Sequence, residues 1–254
     1  MRRAWDWRTW LAGATLLGAA ARAAEAGAPF RTDDPVPDDY QHGEVYFFST
    51  ATHVDGDTSG TLPGIDLNYG VLPDMQLHAI APLAFDAPSG NGKSFGAGDT
   101  ELGIKYRFMH EDESGWRPQI AIFPTVELPT GSKTRGLGTG SAQFFLPVWI
   151  QKTFGAWTTY GGGGYWHNPG AGNKDYWFTG WLVQRQVTDA LAVGAELFHQ
   201  TADTVGGSES TGFNIGAIYD FSENYNLLVS AGRGLENAAK TNAFSYYAAF
   251  QWTF

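Results

Sequence analysis

The chain has no cysteine among its 254 residues. That excludes a disulfide framework, a thiol nucleophile and any thiolate metal site. Histidine is sparse and scattered, at 42, 53, 78, 110, 167 and 199. No pair has metal-ligand spacing, so neither a metal nor another cofactor is expected. Charged residues make up 17%, against about 25% in an ordinary globular chain. Beyond the N-terminal region no run of 18 apolar residues occurs, so no transmembrane helix is expected. Crossing a membrane by strands stays open. The net charge is −10, which makes nucleic acid a poor partner.

Aromatic residues and glycine are what the chain has in quantity: 15% Phe, Tyr and Trp, with ten Trp, and 33 Gly. The start, "MRRAWDWRTWLAGATLLGAAARAAEAGAPF", has the form of a secretory signal. Arg2, Arg3 and Arg8 precede a short apolar core, and Ala21-Arg22-Ala23 is a small-x-small cleavage site. Cleavage there divides the chain into a signal peptide, 1–23, and an exported remainder. Removing those residues takes away four Arg and one Asp and moves the net charge from −10 to −13. Residues 24–42 follow, rich in Pro and Asp and without a period. They read as a periplasmic segment or plug, with Asp33 to Asp39 not a strand.

Residues 43–254 carry strand signals in steady succession. Twelve segments are expected: 43–54, 61–70, 75–86, 98–110, 116–127, 141–153, 157–166, 175–187, 190–200, 211–221, 225–234 and 242–254. Alternate side chains of a strand leave opposite faces. In "DTELGIKYRF", Asp99, Glu101, Lys105 and Arg107 share one face and Leu102, Ile104, Tyr106 and Phe108 the other. "GFNIGAIYDF" sets Asn214 and Asp220 against Phe213, Ile215 and Tyr219. "VYFFST" and "YWFTGWLVQRQ" read with either parity.

Short links ("VLPD", "EDESG", "FGA", "TDA", "SEN") alternate with long ones ("DGDTSG", "APSGNGKSFGA", "LPTGSKTRGLGTG", "HNPGAGNKD", "TADTVGGSES", "ENAAKTN"). Tight turns on one rim and looser loops on the other are the mark of a transmembrane antiparallel up-and-down β-barrel of about 12 strands. The final stripe, Phe244, Tyr246, Ala248, Phe250, Trp252 and Phe254, then faces lipid, and the last strand closes onto the first.

The segments "PFRTDDP", "GAGDTELGIKYRF" at 96–108, "PTVELPTG" at 124–131, "WFTGW" at 177–181 and the terminal "QWTF" resemble a family of bacterial outer-membrane "transporter" proteins named for a meta-pathway of phenol degradation. The resemblance spans nearly the whole mature chain. It implies an outer-membrane barrel that passes small molecules, including aromatic or other hydrophobic compounds. Its implied partners are outer-membrane lipid, small solutes and the barrel-assembly machinery, which reads the Phe254 strand. It brings no catalytic residues.

The lumen-lining candidates are Asp66, His78, Asp99, Glu101, Lys105, Arg107, Arg117, Glu127, Glu196, Asn214 and Asp220, with Gln119 and Gln143 beside them. Mixed sign suits cross-lumen bracing as well as charge selection. "YGGGGYW" at 160–166 lacks the Lys-Ser/Thr of a phosphate loop and reads as room for curvature or a large neighbour. Trp116, Trp157, Trp166, Tyr176, Trp181 and Trp252 read as interfacial girdles. A structural or adhesive barrel is the alternative to a channel. A lipid-active barrel enzyme would need a Ser–His pair, for which only His199 with Ser208 offers itself.

Overall fold

The computed structural model describes residues 10–12, 25–90, 92–112 and 115–254. The expected signal peptide, 1–23, lies outside the described residues but for 10–12. Glu25–Gly27 pairs with Trp10–Ala12, apart from the main sheet.

Twelve antiparallel strands form that sheet. They are β1 (Gly43–Val54), β2 (Asp57–Leu72), β3 (Met75–Ala87), β4 (Ser94–Ala97 and Thr100–Met109), β5 (Gln119–Ile122 and Thr125–Leu128) and β6 (Gln143–Phe154). They continue as β7 (Trp157–His167), β8 (Tyr176–Thr188), β9 (Leu191–Gln200), β10 (Ser210–Asp220), β11 (Tyr225–Glu236) and β12 (Phe244–Thr253). Both pieces of β4 pair with β3, and both pieces of β5 pair with β4's longer piece and with β6. β12 pairs with β1 from Phe244↔His53 to Thr253↔Glu44, so the sheet closes. Gly43 and Phe254 exchange two backbone hydrogen bonds at one rim, here the near rim. Every strand therefore finds partners on both sides, as a wall in hydrocarbon requires.

One face of each strand is buried and the other exposed, and the exposed face is apolar. Phe47, Leu67, Leu102, Ile104, Val148 and Ile215 are each at least 39% exposed. That band faces outward, while Glu101 and Lys105, their strand neighbours, are at most 1% exposed inside. The ambiguous strands resolve the same way: Tyr46, Phe48, Tyr176, Phe178 and Leu182 point in, and Phe47, Trp177, Trp181 and Val183 point out. The C-terminal stripe also lies outward, with Tyr247, Ala249 and Gln251 inside.

Two expected loops differ. "DGDTSG" is a two-residue hairpin at Asp55-Gly56, because Asp57 continues the ladder opposite Val54. Asp55 and Gly56 both have positive φ, 47° and 88°, the geometry that makes Asp-Gly a tight-turn signal. The link after β4 is longer than expected, since Trp116 to Pro118 lie outside β5. The girdle reading is corrected at two residues. Trp166 and Tyr176 are buried inside, where Trp166 stacks on Phe145 at 4.6 Å and on Tyr176 at 5.7 Å. Trp157 stays outside near the rim, with the Arg185 guanidinium 5.2 Å from its ring.

The interior is filled rather than open. One transverse row of ladder partners reads Trp149–Gly162–Gly180–Phe198–Gly212–Gly234. Large rings beside glycines are how a narrow barrel packs its inner face. Residues 28–38 lie inside as well: Phe30, Thr32, Asp33 and Asp34 have no exposed surface.

Candidate functional site

The candidate site is the lumen and the strap of residues 28–38 that crosses it. Its first contact is steric. In the row Gln184–Gly194–Gly216–Ser230 across β8 to β11, the two glycines leave a notch. A Cβ on Gly194 would come within 2.9 Å of the Phe30 ring, and one on Gly216 also within 2.9 Å. The Ser230 hydroxyl donates to the Pro29 carbonyl. Two inward-facing rows away, a Cβ on Gly180 would clash with the Thr32 hydroxyl. The glycines on three successive strands are thus shaped to the strap.

The second contact is a carboxylate clamp. Glu196 on β9 accepts the Arg31 N–H at 2.8 Å, the Thr32 N–H at 2.8 Å and the Thr32 hydroxyl at 2.7 Å. Asn214, its cross-strand partner, donates to it at 2.6 Å. Four donors on one buried carboxylate replace its lost water. The Arg31 guanidinium sits 4.3 Å from the Phe198 ring centre and 5.0 Å from that of Phe178, and donates to Gln200 at 3.0 Å.

The third contact lies on β4. Lys105 Nζ is 3.0 Å from Asp33 Oδ1 and 3.7 Å from Asp34 Oδ1. The strap then reaches β3, where the Asp38 N–H donates to Gln76 at 2.8 Å. It leaves at the near rim, where Gln41 N–H donates to Gly70 O at 2.8 Å. A network of wall side chains backs it there. Gln76 donates to Asn68 at 2.8 Å, and Asn68 donates to Asp66 at 3.0 Å. His78 lies between acids, Nδ1 3.2 Å from Asp66 and Nε2 3.2 Å from Glu101. Glu127 is buried directly across the ladder from Glu101.

The remaining candidates divide. Asp99 is buried at the far mouth, where it accepts the Gly131 N–H at 2.8 Å, the Thr139 N–H at 2.6 Å and the Thr139 hydroxyl at 2.9 Å. It ties down the loop after β5, whose Leu137 packs buried against Ala84. Gln143 is buried and donates to Asn168 at the same mouth. Arg107 belongs to the near rim, bonded to Asp74 at 2.6 Å, and Asp220 is half-buried at the near-rim end of β10. Arg117 is exposed in the link before β5, so it does not line the lumen. Its position shifts because β5 begins two residues after it.

The wall charge is consequently more acidic than expected. Glu44, Asp66, Asp99, Glu101, Glu127 and Glu196 are buried, and among the described residues Lys105 is the buried wall cation opposing them. Sequence reasoning missed Glu44 and the inward aromatic face of β6 to β9, Phe145, Trp149, Trp166, Tyr176, Phe178 and Phe198. The period of two in "QFFLPVWIQ" was the available signal for it. It also missed Gly180, Gly194 and Gly216, whose role depends on a segment more than 140 residues away. Among the described residues His199 hydrogen-bonds Thr211 at 2.8 Å rather than Ser208, and no group of His, Asp and Glu is arranged to hold a metal.

The family described as "Putative MetA-pathway of phenol degradation" matches residues 31–252. No curated protein matches the chain significantly. Among solved structures, an outer membrane channel from Pseudomonas putida F1 superposes with a TM-score of 0.70 at 18% identity, over 86% of this chain and 97% of that one. A KdgM porin superposes with a TM-score of 0.55 at 9% identity, over 83% of this chain and 99% of that one. These likenesses are of fold: a closed twelve-strand antiparallel barrel.

Proposed function

The chain belongs to that phenol-degradation family, and from this premise we propose that it is an outer-membrane channel for small molecules, held shut by its own N-terminal strap. The observation that carries the reading is the arrangement of residues 29–38. They cross from β11 and β9 to β4 and β3 inside a barrel whose outer face is apolar. A wall clad in Leu, Ile, Val and aromatic side chains outside and lined with carboxylates inside suits a hydrocarbon layer around a polar interior. Orientation follows from the rims: the near rim, with the exit of the strap and the C-terminus, faces the periplasm. Phe254 and its stripe are the segment the assembly machinery would read.

Two features of the lumen bear on the solute. The acidic excess favours cations and neutral molecules over anions. The inward aromatic face of β6 to β9 offers stacking surface to planar or apolar solutes, which supports a preference for aromatic compounds. No step of this reading is catalytic.

Planar-bilayer recording tests it. The purified protein shows small, modestly cation-selective conductance that loses selectivity as salt rises, because screening shortens the reach of the wall charges. Strong anion selectivity would contradict the assignment of the acidic wall. A barrel without any conductance, strap present or deleted, would leave the structural alternative.

A further inference from the structure

Two strand arginines point outward among the described residues, Arg185 by the near rim and Arg233 toward the far end of β11. The Arg185 guanidinium lies 5.2 Å from the Trp157 ring centre. Arg233 has no ion pair, ring contact or hydrogen bond from its side chain among the described residues. Its neighbours on the outer face are apolar on every side. Ala231 and Leu235 stand two residues away along β11, both exposed. Phe213 on β10 is its ladder partner. Phe244 on β12 comes next in register after the pair Gly232↔Ser245 and is exposed. A guanidinium on the lipid face is destabilising in hydrocarbon and close to neutral only at the level of the headgroups. The charge of Arg233 therefore has to be met from the membrane.

Further cationic points crown the same hairpin. Lys240, in the link from β11 to β12, is exposed and has no ion pair among the described residues. Beyond Phe244 comes His53 on β1, exposed, with its Nδ1 3.0 Å from Thr58 Oγ1. The acid of the same strand, Glu236, takes the Thr211 hydroxyl at 3.0 Å and not the Arg233 guanidinium. On a chain of net charge −10, this outer patch thus runs against the general sign. Cations bedded in exposed apolar side chains complement one kind of partner, an amphiphile with an anionic headgroup and acyl chains. Arginine in the central position favours phosphate, whose oxygens match the planar fork of donors.

We propose that the outer face of the β11–β12 hairpin is a docking site for the phosphorylated glycolipid of the outer leaflet. One phosphate of the headgroup sits on Arg233, and a second, on the same sugar scaffold, is met by Lys240. Acyl chains lie along Phe213, Phe244 and Leu235. The inference rests on the proposed orientation, in which the near rim faces the periplasm and the far rim therefore stands in the outer leaflet. It does not depend on whether the lumen conducts.

Native mass spectrometry of the protein extracted from outer membranes, stripped of lipid in detergent and titrated with bisphosphorylated lipid A, tests the site. One lipid A per barrel is expected to be retained. Arg233→Gln weakens retention about fivefold, the share of one interfacial cation, and Lys240→Gln weakens it further. Arg233→Lys recovers only part, because an ammonium lacks the fork. Arg185→Gln, at the other rim, binds lipid A as the parent does. Monophosphorylated lipid A and phosphatidylglycerol bind more weakly than the bisphosphorylated form. Unchanged retention in a folded Arg233→Gln barrel overturns the proposal, and so does phosphatidylglycerol binding as tightly as lipid A. Since the chain has no cysteine, Lys240→Cys gives a single label for orientation. A membrane-impermeant maleimide is expected to reach it on intact cells. Labelling only after lysis would place the far rim in the periplasm and overturn the orientation and the glycolipid site together. Conductance recorded on the same preparations is expected to be the same in Arg233→Gln as in the parent, and its absence from both would count against the channel reading alone.

Discussion

Lys105 on β4 and Glu196 on β9, five strands apart around the wall, hold adjacent residues of one strap. Lys105 Nζ lies 3.0 Å from the Asp33 carboxylate, and Glu196 takes the Thr32 N–H at 2.8 Å. One wall group is a cation on a strap anion. The other is an anion on strap backbone donors. Losing Lys105 takes the cation from the buried Asp33 carboxylate, which costs about 3–5 kcal/mol; losing Glu196 leaves buried N–H and hydroxyl donors of the strap unbonded, at about 1–3 kcal/mol each.

Lys105→Met is therefore expected to loosen the strap while the barrel still forms. Trypsin added to reconstituted protein then cuts at Arg31, which is protected in the parent. Continued protection of Arg31 would mean that the salt bridge is dispensable.

The glycine notch gives an independent handle. Gly194→Leu, or Gly216→Leu, places a side chain where the Phe30 ring now lies. Expulsion of the strap is expected with little loss of barrel stability, since the new side chain fills the space vacated. The folded barrel keeps its heat-modifiable mobility on gels while single-channel conductance rises. A variant that keeps both the strap protected and the conductance low would show that Phe30 can be seated elsewhere.

The outer band makes a depth prediction. Ile104→Arg puts a cation on the lipid face near the middle of β4, at a cost of about 2–4 kcal/mol. Denaturant unfolding in bilayers measures it. A harmless Ile104→Arg would invert the assignment of faces.

A loop at the far rim makes a prediction about pH. Asp175 is held down to about 2 by the Tyr165 hydroxyl and then by the Asn168 N–H, which donate to it at 2.5 and 2.7 Å. Its usual value is 3.8. A depressed carboxylate stabilises the folded loop fully above its ordinary value, and the contribution is lost as pH falls toward about 2. Exchange protection of the Asn168 amide is thus expected to persist at pH 4 and to fall below pH 3. Asp175→Asn loosens it at pH 4 and above and removes the pH dependence. Equal protection in that variant would remove Asp175 from the latch.

Much of the wall was legible because its chemistry is periodic. "DTELGIKYRF" alternates without exception, so the inward Glu101 and Lys105 and the outward Leu102 and Ile104 could be read directly. Aromatic residues were harder, since the same Trp or Tyr suits an interface or a packed lumen. Trp166 and Tyr176 fall inside because Trp166 stacks on both Phe145 and Tyr176, which is a matter of neighbouring strands and not of local pattern. Arg117 was misplaced because Pro118 delays the start of β5. The strap's seat was invisible for another reason. Gly180, Gly194 and Gly216 mean nothing as glycines until Thr32 and Phe30 are brought against them.

The central claim is that residues 28–38 close a channel, and one measurement addresses it most directly. Planar-bilayer conductance of the protein with its strap in place is compared with that of a variant lacking residues 25–40, both verified as folded barrels. Deletion is expected to raise single-channel conductance several-fold and to retain a preference for cations, because Glu44, Asp66, Glu101 and Glu196 remain on the wall. Equal conductance in the two proteins, or none in either, would contradict the account.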